Sequence, residues 1–89
     1  MPEVSADQLE TLLAQGSVLI DVRTEDEFDA WHHPSALHMP LHLLKLKATL
    51  LNKSESVVVC CNTGRRSKVA AALLSDDGYS SSFCIVDKS

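Results

Sequence analysis

Aromatic residues are scarce in this 89-residue chain, which has two Phe, one Tyr and one Trp. Any core is therefore aliphatic, built from the Leu, Val, Ile and Ala behind a hydrophobic content of 45%. An excess of basic charge is lacking too. The net charge is −4, which argues against a nucleic-acid footprint over the whole surface. No apolar run approaches the roughly 20 residues of a membrane-spanning helix. The opening MPEVSADQLE has neither the basic flank nor the apolar segment of a secretory signal. These absences predict a cytoplasmic protein with no membrane partner. No C-x-x-C pair occurs, and three cysteines, two of them adjacent, suit a reduced compartment better than a disulfide framework. The length allows one domain, residues 1–89, and leaves no room for a second.

What is present alternates between helix and strand signals. Residues 2–5 are a candidate short edge strand. Ser5 then starts a helix as N-cap, with Gln8 completing a capping box, Leu9, Leu12 and Leu13 at helical spacing, and Gly16 as the stop. Residues 18–22 (VLIDV) read as a central parallel strand covered on both faces. Asp21 and Arg23 lie at its carboxyl end, where open α/β sheets place ligand sites; a loop-fixing ion pair is the alternative role. Thr24 and Glu27 form a second capping box over a helix through Trp31, whose acidic first turn suits the dipole. Phe28 and Trp31 are expected in the core, and Glu27 is expected to serve as a cap, as the partner of a nearby base, or as both.

Four histidines follow, His32, His33, His38 and His42, but their spacings match no compact zinc pattern, so no metal site is expected. Residues 36–39 suggest a short extended piece. Residues 41–51 suggest a helix with Leu41, Leu44, Ala48 and Leu51 on one face.

The most informative stretch is residues 56–74, SVVVCCNTGRRSKVAAALL. A β-branched run ends in Cys60 and Cys61, passes through a loop with Gly64, and becomes an alanine-rich helix with Ser67 near its start. That junction gathers backbone N–H groups, the positive end of a helix dipole, and the local cations Arg65, Arg66 and Lys68. All favour thiolate over thiol, which makes Cys61 the best nucleophile candidate. Cys60, its neighbour on a strand, points to the opposite face and is expected to be buried. The helix is expected to end near Ser75 with Gly78 as cap, and residues 83–86 (FCIV) form a last strand with Cys84 as a buried small hydrophobe.

Counted from Cys61, the loop reads C-N-T-G-R-R-S; counted from Cys60, Arg66 is six positions on, as in tyrosine-phosphatase loops, but the glycine falls one place late. In the Cys61 register the loop resembles the C-x-x-G-x-R-S active-site loop of the rhodanese family, sulfurtransferases that carry sulfur as a cysteine persulfide. VLIDVRTEDEF resembles the family's D-x-R strand end and acidic helix start. WHHPSALHMP is similar to its G-H-I-P-G-A segment, with His32 and Pro34 in place and Trp31, His33 and Ser35 departing. The family's glycine pair and last helix do not follow residue 86, so a truncated or shortened chain is expected.

The resemblance implies an α/β domain with a mainly parallel sheet of four or five strands, flanked by helices, lacking that last helix, with the site at the carboxyl ends of the strands. It implies that Cys61 takes sulfur from a small anionic donor such as thiosulfate, or from a persulfide, and passes it to a thiol or protein persulfide acceptor. Asn62, Thr63, Gly64, Arg65 and Arg66 would bind the donor through the loop's N–H groups, with Arg66 alternatively bracing the loop. Asp21, Arg23, Ser67 and His32 would support it. Such chemistry needs no metal or organic cofactor. Two other functions fit the same loop. A cysteine-dependent phosphatase or arsenate reductase is disfavoured by the short cysteine-to-arginine count, because a phosphate oxyanion needs a wider ring of donors. The other is a non-catalytic binding or regulatory module.

Overall fold

The computed structural model describes residues 3–62 and 64–85. Five strands form one sheet in the order β1-β5-β4-β2-β3, and every neighbouring pair is parallel. The central strand β4 (Ser56–Cys61) is the valine–cysteine run. It pairs β2 (Val18–Asp21) on one side and β5 (Ser80–Ile85) on the other. The short strands β1 (Glu3–Val4) and β3 (Ala36–His38) close the two edges. The edge-strand expectation over residues 2–5 is met at Glu3 and Val4; Pro2 lies outside the described residues. So does Val86, and the last strand begins earlier than FCIV suggests, at Ser80.

Strand period divides the core in two. Val57, Val59 and Cys61 face one layer, with Leu44, Ala48, Ala70, Ala71 and Leu74. Val58 and Cys60 face the other, with Val4, Leu9 and Cys84. The first layer is covered by α4 (Arg65–Asp76) and by a segment that was expected to be one helix over residues 41–51. It is instead broken into a 3-10 turn (Leu41–Leu43), a short α3 (Leu44–Lys47) and a second 3-10 turn (Ala48–Leu50). The apolar face still works as the spacing requires, with Leu44 and Ala48 buried and Leu41 and Leu51 packed beside them. Tyr79 ties this cover down by donating its hydroxyl to Ala48 O at 2.7 Å.

The second layer is covered by α1 (Ala6–Ala14), whose capping box between Ser5 and Gln8 forms as the sequence predicts. Its Leu9 is buried and Leu12 and Leu13 pack against the same cluster. The second capping box, Thr24 with Glu27, starts α2 (Glu25–Ala30). This helix buries none of its residues, and the aromatic expectation needs correcting here. Trp31 is 41% exposed, because the chain leaves the helix at this residue with extended backbone angles. Phe28 is half-buried between the rings of His32 and His38, with centroids 3.8 and 4.4 Å away.

Candidate active site

Cys61 is the last residue of β4, at the carboxyl edge of the sheet where β2 also ends. The chain then turns through Gly64, at φ +85°, into α4. Glycine suits this turn because the left-handed angle disfavours a side chain, and an added Cβ would crowd Ile85 Cδ1 at 3.1 Å. This turn lays the start of the helix over the cysteine. Gly64 N–H donates to Cys61 Sγ at 3.1 Å and Ser67 N–H donates at 3.3 Å.

No side chain caps α4 through Gly64, so the sulfur itself occupies the place of a capping oxygen, accepting an orphan N–H of the first turn. Hydrogen bonds donated to the sulfur stabilise its anion more than its thiol. The Cys61 thiol lies 3.2 Å from Ser67 Oγ, to which it donates, and Ser67 Oγ donates onward to Gly64 O at 3.2 Å. On ionisation the hydroxyl can rotate and donate to the thiolate instead. Cys61 is fully buried.

Around this loop runs a polar network. Arg23, with no accessible surface, grips Asp21 through Nε at 3.0 Å and Nη2 at 2.7 Å. It also donates to Trp31 O and, at 3.2 Å, to Asn62 Oδ1, and lies 5.7 Å from the Trp31 ring centroid. The Asp21 hydrogen bond raises the Arg23 pKa, so this buried cation stays charged. Of the two roles weighed for Asp21 and Arg23, the hydrogen bonds describe the loop-fixing ion pair.

Glu27 is the second hub. Its carboxylate accepts Arg66 Nη1 at 2.7 Å, Arg66 Nη2 at 3.0 Å, Asn62 Nδ2 at 3.2 Å and Thr24 N at 3.0 Å. The Arg66 fork, with the Thr24 backbone adding to it, holds the Glu27 carboxyl at about 2, far below the usual carboxylate range. The same bond raises the Arg66 pKa, and Cys61 adds a smaller attraction. Arg66 therefore braces the loop, and Asn62 spends its amide between Arg23 and Glu27.

Of the remaining site candidates, Arg65 is exposed at the first turn of α4, and Thr63 lies outside the described residues. His32 is exposed, its Nδ1 pairs with Phe28 O at 2.9 Å, and its ring stacks on that of Phe28. His38 pairs through Nε2 with Arg23 O at 2.9 Å, a link to the loop that sequence reasoning did not assign. Ser67 N was also missed as a donor, although its position as third residue of the helix is the signal that finds it.

Cys60 sits on the opposite sheet face, buried with Cys84, its register partner on β5. Burial first, and the Asp21 charge second, push its thiol well above the ordinary range. Burial likewise raises Cys84 to about 11. Both shifts disfavour the thiolate form and so disfavour Cys60 and Cys84 as nucleophiles. Among the described residues no group of three or more His, Cys, Asp or Glu could hold a metal ion, and no helix is long and apolar enough to cross a membrane.

Comparison with known proteins agrees with this geometry. Residues 5–89 match the family model of the Rhodanese-like domain. A sulfurtransferase of Allochromatium vinosum is 34% identical over 79 residues, 86% of this chain and 74% of that protein. A putative sulfur carrier protein of Bacillus subtilis is 30% identical over 81 residues, and the chain spans only 44% of its length. Among solved structures, a human single-domain sulfurtransferase superposes with a TM-score of 0.79 at 29% identity, covering 94% of this chain and 88% of that one. With its loop, its parallel sheet and these relatives, the chain belongs to the rhodanese-like family.

Proposed function

We propose that the chain is a sulfurtransferase that moves sulfane sulfur from thiosulfate or a persulfide to a thiophilic acceptor through a persulfide on Cys61. The observation that carries this is the aim of two backbone N–H groups, Gly64 and Ser67, at the Cys61 sulfur from 3.1 and 3.3 Å. Such preorganised donors suit a sulfur anion before and after transfer. The Cys61 thiolate bonds to the outer sulfur of the donor, the donor's sulfur–sulfur bond breaks, and sulfite from thiosulfate, or a thiolate from a persulfide, leaves with the electron pair. A thiol or another protein's persulfide site then takes the outer sulfur and returns the thiolate. No metal or organic cofactor enters these steps. The name of the Bacillus relative, a putative sulfur carrier protein, supports a protein acceptor.

The bracing of Arg66 favours sulfur over phosphate chemistry. A phosphatase loop turns its arginine onto the phosphoryl oxygens, whereas here both Nη atoms are committed to Glu27. Turnover of thiosulfate to thiocyanate with cyanide, in wild type and Cys61→Ser, tests the proposal. Thiocyanate from the wild type alone supports it; hydrolysis of an aryl phosphate with no thiocyanate formed moves the site to the phosphatase class.

A further inference from the structure

Two of the cations that bear on the Cys61 loop, Arg23 and Arg66, are each matched by a carboxylate. Asp21 lies on Arg23, and Glu27 on Arg66, each through two bonds of 3.0 Å or less. Neither guanidinium presents an unbalanced charge to an incoming anion. Resting on the sulfurtransferase function proposed above, we propose that Glu27, by holding Arg66, turns this site away from the dianion thiosulfate and toward persulfides that react without net charge.

Arg66 is the second residue of α4 and its charge is felt at Cys61, so it is the side chain best placed to stabilise a donor's anionic end. With a carboxylate at 2.7 Å, the pair acts as a dipole whose field falls off faster than that of a lone cation. The carboxylate stays on because its five donors (Arg66 Nη1 and Nη2, Asn62 Nδ2, Thr24 N and Thr24 Oγ1) surround it. Arg65 and Lys68 are exposed, where solvent and salt screen them. At the sulfur itself the Gly64 and Ser67 N–H dipoles suit a single sulfur atom.

The two donors differ in what they bring. Thiosulfate brings two negative charges and releases sulfite dianion. Cysteine persulfide, reacting with its outer sulfur protonated, brings no net charge, its carboxylate being balanced by its ammonium: the Cys61 thiolate bonds to that outer sulfur, the S–S bond breaks, and cysteine thiolate leaves while Cys61 becomes Cys–S–SH.

The test is the second-order rate of sulfur loading, read as mass gain, from thiosulfate and from cysteine persulfide, in wild type, Glu27→Gln and Arg66→Gln. Glu27→Gln keeps a hydrogen-bonding partner for Asn62 and Arg66 but unmasks the cation, so the thiosulfate-to-persulfide rate ratio is expected to rise about tenfold. Arg66→Gln unmasks the carboxylate, so the ratio is expected to fall. A loop that is merely loosened slows both donors together and leaves the ratio unmoved. A ratio unchanged in both variants, or moving the same way in both, overturns the assignment while leaving the sulfurtransferase function standing. Loading from neither donor overturns both. Should the variants not fold, the wild type alone decides: faster loading by thiosulfate than by cysteine persulfide contradicts the assignment.

Discussion

Ser67 shows how few atoms the site needs. Its N–H and its hydroxyl both meet the Cys61 sulfur, at 3.3 and 3.2 Å, from a side chain with no accessible surface. A hydrogen bond to a charged group contributes about 1.5–3 kcal/mol. Ser67→Ala is therefore expected to slow sulfur loading by about tenfold or more while the backbone N–H keeps its place. Unchanged loading would remove the hydroxyl from the account. Glu27 carries a second residue-scale consequence. Its folded pKa, about 2, lies below the ordinary 4.5, so the stability it contributes is complete above the unfolded pKa and is lost as pH falls through the folded one. Between about pH 5 and pH 2, urea midpoints of the wild type should fall more steeply than those of Glu27→Gln; parallel slopes would contradict the pairing with Arg66.

Elements were legible wherever their signal was local. Both capping boxes, Ser5 with Gln8 and Thr24 with Glu27, form as their spacing requires, because a cap is decided within four residues. The β4–loop–α4 unit and the burial of Cys60 followed from strand period and from one glycine. Less legible were features set by distant partners. Nothing in the sequence around Arg23 tells that Trp31 O and Asn62 join Asp21 on it, since Asn62 arrives from 39 residues away. Trp31 reads as core by helical spacing, yet the helix has ended there and its ring lies over Arg23 instead. The cover over residues 41–51 kept its apolar face and lost its regularity, with leucines on every side and no capping side chain at its start. That face makes a contrast to measure. Leu44 is fully buried and Leu46 is 71% exposed, so Leu44→Ala is expected to cost about 2–5 kcal/mol of unfolding free energy and Leu46→Ala less than about 0.5. Equal losses in denaturant titrations would mean that the cover packs otherwise.

For the molecule as a whole, the sheet separates three cysteines into two environments. Cys61 meets the first turn of α4 on one face, while Cys60 and Cys84 lie side by side in the apolar layer under α1. The proposed function thereby rests on one sulfur in a chain that has three. The paired charges at the carboxyl edge of the sheet hold the loop in shape without adding net charge to it, leaving the helix N–H groups to receive the sulfur. Intact-mass analysis after incubation with a sulfane donor, followed by cyanide, in wild type and Cys61→Ser, tests this most directly. The account predicts a gain of one sulfur atom, from thiosulfate or from cysteine persulfide, that cyanide removes and that Cys61→Ser does not acquire. No gain on the folded wild type from either donor, or an equal gain on Cys61→Ser, would contradict it.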